Sequence, residues 1–172
     1  SSAASDVYKR QMIGEAHIEF FGTRDKIADA KMEITHGLKA DGFFVYDGDE
    51  PLLNERAKSV DVIKSTFGRK SANDVFATDS KDGQYSTEFH VNLWPDIDFK
   101  IPMIGDYNVN NALAAISVGR IFQIHPEIMA KKLAKFDLTK NRTEWLTGSK
   151  GERILSDVYT VSYTHLRAPE TK

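Results

Sequence analysis

The chain has 172 residues, 41% of them hydrophobic, enough to bury one ordinary core without requiring a second. With 23 Lys and Arg against 25 Asp and Glu, its net charge of -2 offers no basic field to a nucleic-acid backbone or an anionic membrane. No apolar run approaches the ~20 residues of a membrane span, no basic-then-apolar signal peptide opens the chain, and the lack of cysteine excludes disulfides, thiolate zinc sites and cysteine nucleophiles, which fits a cytoplasmic protein.

Taken in chain order, residues 1–11 have no periodicity that joins them to the neighbouring segment, and the same holds for residues 161–172. Both strings resemble translated sequencing-adapter sequence. The expectation is that they are non-native, that the native product is cut at both ends, and that they pack poorly against the rest. Residues 22–38 read as a helix that Thr23 can cap, with Ile27, Ile34 and Leu38 at helical spacing. Residues 43–46 are a short apolar run ended by Asp47-Gly48-Asp49-Glu50-Pro51, which suits a buried strand and a turn. A short helix over 51–57, a strand over 60–67 and another over 74–78 come next, before the turn Lys81-Asp82-Gly83. Residues 86–93 alternate with Phe89, Val91 and Leu93 on one face, and 97–101 alternate again after a Trp94-Pro95 break, which predicts a hairpin. Residues 108–122 and 126–136 read as helices, the second with Pro126 at its start. The segments 144–146 and 153–155 flank Gly148-Ser149-Lys150-Gly151 and read as a second hairpin.

Lys31 is the first anomaly, because Ile27, Lys31, Ile34 and Leu38 fall on one helical stripe at spacings of four, three and four. Two readings stand. The stem could pack while the ammonium reaches water. Alternatively, burial lowers the ammonium pKa, and the neutral amine reacts with carbon dioxide to give a carbamate, an anionic oxygen ligand for a hard cation such as magnesium. His17 lies 14 residues earlier, beside the Phe20-Phe21-Gly22 turn; alone it is as compatible with a structural role as with ligation.

The stretch Ile13-Gly14-Glu15-Ala16-His17, then Phe21-Gly22, then Ile27-Ala28-Asp29-Ala30-Lys31-Met32-Glu33-Ile34 resembles the Mur ligase family, in the form found in the branch that adds D-alanyl-D-alanine. The resemblance implies that His17 is a magnesium ligand and that Lys31 is carbamylated, serving both the metal and catalysis. Ala16 stands where sibling ligases and folylpolyglutamate synthetase commonly carry aspartate, which favours the D-alanyl-D-alanine branch.

A second constellation opens the long predicted helix: Gly105-Asp106-Tyr107-Asn108-Val109-Asn110-Asn111-Ala112-Leu113-Ala114-Ala115. Asn108 and Asn111, three apart, share a face that continues through Ala115, Gly119 and Phe122. Amides can read the polar edge of a purine, and an Asn-rich first turn is also an ordinary helix start. The family pattern G-x-H-N-x-x-N-A-L-A-A implies that Asn108 and Asn111 face the adenine of ATP; Tyr107 departs from its histidine. The family likewise implies a catalytic, phosphate-directed role for Arg142 and a nucleotide contact for Asp157, in Ser156-Asp157-Val158-Tyr159, after which the match ends. No G-x-x-G-K-T phosphate loop occurs in the chain.

The resemblance covers about residues 12–159. It implies an α/β fold: part of the central ATP-binding domain of a Mur ligase over 12–139, a parallel sheet with helices plus a small antiparallel β part, followed over 140–160 by the first strands of a C-terminal Rossmann-like domain. The implied protein is a cytoplasmic, monomeric, ATP- and Mg2+-dependent ligase joining UDP-MurNAc-tripeptide to D-alanyl-D-alanine through an acyl phosphate. This stretch alone is expected to be inactive. The rival readings are another Mur-type or folylpolyglutamate-type ligase and a non-catalytic α/β binding module.

Overall fold

The computed structural model describes residues 23–136 with their side chains and the backbone of 7–10, 144–147 and 153–156. Contacts divide the chain into two compact units, residues 1–135 and residues 136–172.

In the first unit a six-stranded sheet runs in the order β1 (Val7–Arg10), β2 (Phe43–Asp47), β3 (Ile63–Gly68), β4 (Val75–Asp82), β5 (Thr87–Val91), β6 (Trp94–Ile101). The first four pair in parallel, with registers such as Phe43 to Ile63 and Asp47 to Phe67, although β3 and β4 share only the pairs Phe67–Val75 and Gly68–Phe76. From β4 onward the pairing is antiparallel. This is the expected α/β architecture, a parallel sheet extended by a small antiparallel part.

The helices follow from local sequence. Helix α1 (Arg24–Met32) is capped by Thr23, whose hydroxyl accepts the Lys26 N–H at 3.3 Å. It is shorter than the expected span. Residues Glu33–Gly37 tighten into a 3-10 turn instead of continuing to Leu38, because β-branched Ile34 and Thr35 are followed by Gly37 and the Thr35 hydroxyl donates to the Met32 carbonyl at 2.7 Å. Helix α2 (Pro51–Ala57) has Pro at its first turn and the Glu50 carboxylate as cap, accepting the Leu52 N–H at 3.3 Å. Helix α3 (Asp106–Ile121) and helix α4 (Pro126–Leu133) complete the unit.

Strand β2 shows how the layers form. Its alternate residues Phe44 and Tyr46 join Ile27, Ala28, Met32, Leu53 and Ala57 in a core on the α1 and α2 side. Val45, between them, joins Phe67, Phe99, Val109, Leu113, Ile116 and Met129 in a larger core on the α3 and α4 side. The sheet is therefore covered on both faces, as parallel pairing requires. Truncating a fully buried side chain such as Phe67 or Phe99 to Ala should cost about 3–5 kcal/mol.

Four differences from the sequence expectations have physical causes. Residues 7–10, in the segment expected to be foreign to the fold, pair in parallel with β2 as strand β1 at the end of the described sheet; such pairing uses backbone groups alone and needs no matching side-chain pattern. Trp94 and Pro95 do not break the hairpin but begin β6, since β6 is also an edge and a proline there removes no ladder donor; the turn falls at Asn92 and Leu93. The inward stripe of α3 is Val109, Ala112, Leu113, Ile116 and Ser117, one residue out of phase with the expected face, so Ala115 is exposed. With α1 ended at Met32, its buried seam is Ile27, Ala28 and Met32, and Lys31 stands half-buried at the margin.

In the second unit, β7 (Glu144–Thr147) and β8 (Arg153–Ser156) pair antiparallel from Glu144–Ser156 to Thr147–Arg153, the expected hairpin.

Candidate functional site

Strands β2 and β3 end in Asp47 and Gly68, and the loops beyond them carry polar residues that bind one another. The Asp49 carboxylate accepts the Arg69 N–H at 2.5 Å and an Asn73 amide hydrogen at 2.8 Å. This closes the β2 loop onto the β3 loop. Gly68 must be small here, since a Cβ on it would lie 2.6 Å from both the Asp49 carboxylate and the Asn73 amide. Glu50, buried, receives Arg24 from the start of α1 at 3.0 Å.

Helix α3 begins at this same carboxyl edge of the sheet. Its N-cap Gly105 has φ 102°, a left-handed conformation that glycine adopts without strain. Three tethers fix the first turns. Asp82, at the end of β4, accepts the Gly105 N–H at 3.4 Å. Arg69 pairs with Asp106 at 3.3 Å while donating to Ser80 at 2.7 Å. Asn110, 9% exposed, donates its amide to Asp47, 4% exposed, at 2.8 Å. Burial pushes the Asp47 carboxyl pKa up, and the charges of Asp49 and Glu50 add to it, against the Asp49 N–H and the Asn110 amide.

Among the predicted residues, Asn108 is 4% exposed and donates to the Ile104 carbonyl at 2.8 Å, so its amide is held rather than free to rotate. Asn111, one turn on, is half-buried, and Tyr107 stands exposed beside them. Lys31 belongs to the α1 side of the sheet and the asparagines to the α3 side. His17, Arg142 and Asp157 lie outside the described residues. Among the described residues no three His, Asp or Glu side chains gather into a cation site. Lys31 is half-buried; an amine side chain offers a hard cation such as magnesium no anionic oxygen, so only a carbamate formed on it would fit that ion.

Sequence reasoning missed Asp47 and Asn110. The signals were an acidic residue closing an apolar strand and a third asparagine, between Val109 and Asn111, three residues before the apolar Leu113. Only the fold shows that the two meet.

An open α/β sheet binds ligands at the carboxyl ends of its strands, and here that edge carries a helix start with two held amides. The sequence profile of the Mur ligase middle domain matches residues 11–119. A UDP-N-acetylmuramoyl-tripeptide--D-alanyl-D-alanine ligase of Bacillus subtilis (strain 168) is 40% identical over 156 residues, covering 91% of this chain and 33% of its own length. Among solved structures, MurF from Acinetobacter baumannii superposes with a TM-score of 0.83 at 25% identity, covering 92% of this chain and 35% of that one. The MurF ligase of Thermotoga maritima in complex with ADP gives 0.78 at 26% identity, covering 93% and 37%. The chain thus spans about a third of the length of these relatives.

Proposed function

The chain belongs to the Mur ligase family, and from that premise we propose that the protein carrying it is the ATP-dependent ligase that joins D-alanyl-D-alanine to UDP-MurNAc-tripeptide in peptidoglycan precursor synthesis. The 40% identity to a ligase of that name supports the choice of substrate branch. Residues 12–139 then serve as the later part of the central ATP-binding domain and 140–160 as the start of the next, in a monomeric cytoplasmic enzyme.

In the proposed reaction a carboxylate oxygen of the tripeptide attacks the γ-phosphorus of ATP, and ADP leaves. The amine of D-alanyl-D-alanine then attacks the acyl carbon, loses its proton, and expels inorganic phosphate. Asn108 and Asn111 hold the adenine edge, and the observation that carries this is their position on the tethered first turns of α3 at the carboxyl edge of the sheet. Asp157 and Arg142 contact the nucleotide and its phosphates. His17 and the carbamate of Lys31 would hold magnesium, which when bound neutralises phosphate charge. The stretch by itself should not hydrolyse ATP, because it contains no G-x-x-G-K-T loop to cradle phosphate.

The test of the nucleotide assignment is Asn108→Ala in the full-length enzyme. It should raise KM for ATP more than KM for the tripeptide substrate; an unchanged KM for ATP would remove α3 from the nucleotide site.

A further inference from the structure

Among the tethers of α3, the bond between Asn110 and Asp47 differs from the others: both side chains are buried, and it crosses from the helix to the end of a central strand. In the Arg69–Asp106 pair the aspartate is exposed, and the Asp82 contact is long at 3.4 Å. Asn110 lies between Asn108 and Asn111 in sequence, so its anchorage fixes both the height and the rotation of the turn that carries them.

The bond is not what simple packing would select. An apolar residue at position 110 would extend the inward stripe of Val109 and Leu113, and would leave no buried amide to satisfy. Asn110 instead keeps a buried Oδ1 with no hydrogen-bond partner among the described residues, and faces a carboxylate that burial disfavours. Buried polar pairs of this kind contribute little net stability, and their better-attested use is to specify one geometry.

We propose that Asp47 and Asn110 are positioning residues for nucleotide binding, setting the register of the α3 first turns so that Asn108 and Asn111 meet the adenine edge. This rests on the assignment of α3 to the nucleotide site. Asp47 holds one carboxylate oxygen on the Asp49 N–H at 2.9 Å and the other on Asn110, so the helix is indexed to the backbone at the end of β2.

The experiment is a reciprocal exchange in the full-length enzyme. Asn110→Asp sets two carboxylates against each other and should raise KM for ATP about tenfold, equivalent to about 1.4 kcal/mol, with KM for the tripeptide and kcat within about twofold. Asp47→Asn combined with Asn110→Asp restores one donor and one acceptor, with the direction reversed, and should return KM for ATP to within about threefold of the parent. Where Asn110→Asp does not fold, Asn110→Ala takes its place as the breaking variant. The proposal is overturned if a folded breaking variant keeps the parental KM for ATP. It is equally overturned if both KM values and kcat degrade together in step with the melting temperature, or if the exchange restores nothing. Asn108→Ala, run alongside, separates the two claims: no effect there removes the nucleotide reading and this proposal with it, whereas an effect at Asn108 with none at Asn110 removes this proposal alone.

Discussion

Arg24 and Glu50 meet at 3.0 Å, Nη2 to Oε2, and this contact fastens the start of α1 to the loop that leaves β2. Glu50 has a second task, since its other oxygen caps α2. Removing a buried carboxylate that serves both roles should cost more than either alone. Glu50→Ala should lower the unfolding free energy by about 2 kcal/mol, mainly through the lost cap and the orphaned Leu52 N–H. Glu50→Gln, which keeps an acceptor for the cap, should lose less, because Arg24 is half-exposed and its ion pair is screened. Urea unfolding of the two variants reads this directly. Equal losses would mean that the cap contributes nothing.

His90 lies between two carboxylates, with Asp79 2.9 Å from Nδ1 and Asp98 2.8 Å from Nε2. Asp79 first and Asp98 second raise the His90 pKa, and His90 lowers that of Asp79. The raised histidine contributes stability that is fully present below the ordinary histidine range and is lost as pH rises through its raised value. The lowered aspartate contributes stability present above the ordinary carboxylate range, lost as pH falls through its lowered value. Titration of the His90 ring by NMR should give a pKa above that of a model peptide, and Asp79→Asn should bring it down. An unchanged His90 titration in that variant would show that the contact does not persist in solution.

Much of the fold is legible in the sequence because its signals are local. Thr23 as a cap, Pro51 and Pro126 at helix starts, and the apolar run of β2 each carry their meaning within a few residues. The features that escape it are decided by position in the sheet. Nothing local to Pro95 says that its strand is an edge, and nothing local to Val7–Arg10 names β2, more than 30 positions later, as its partner. The phase of α3 cannot be read from the spacing of Asn108 and Asn111, because Asn110 between them turns inward to a partner 63 positions earlier. No sequence window could contain that pair.

Lys31 offers a chemical test that geometry alone does not give. In the full-length enzyme Lys31→Ala should remove most activity, and added formate or acetate should restore part of it by standing in for the carbamate. Lys31→Arg should not help, because a guanidinium stays cationic and cannot ligate magnesium. Normal turnover in Lys31→Ala, or no response to carboxylates in an otherwise folded variant, would remove the carbamate from the account.

The acceptor separates this ligase from its siblings, and it is read by ADP release from the full-length enzyme given ATP, magnesium and UDP-MurNAc-tripeptide, with the acceptor varied. Sustained ADP release is expected with D-alanyl-D-alanine, matched mole for mole by the amide product, and little with any single amino acid. Sustained turnover with a single amino acid in place of the dipeptide, or ADP release that ignores the acceptor altogether, would contradict the D-alanyl-D-alanine assignment.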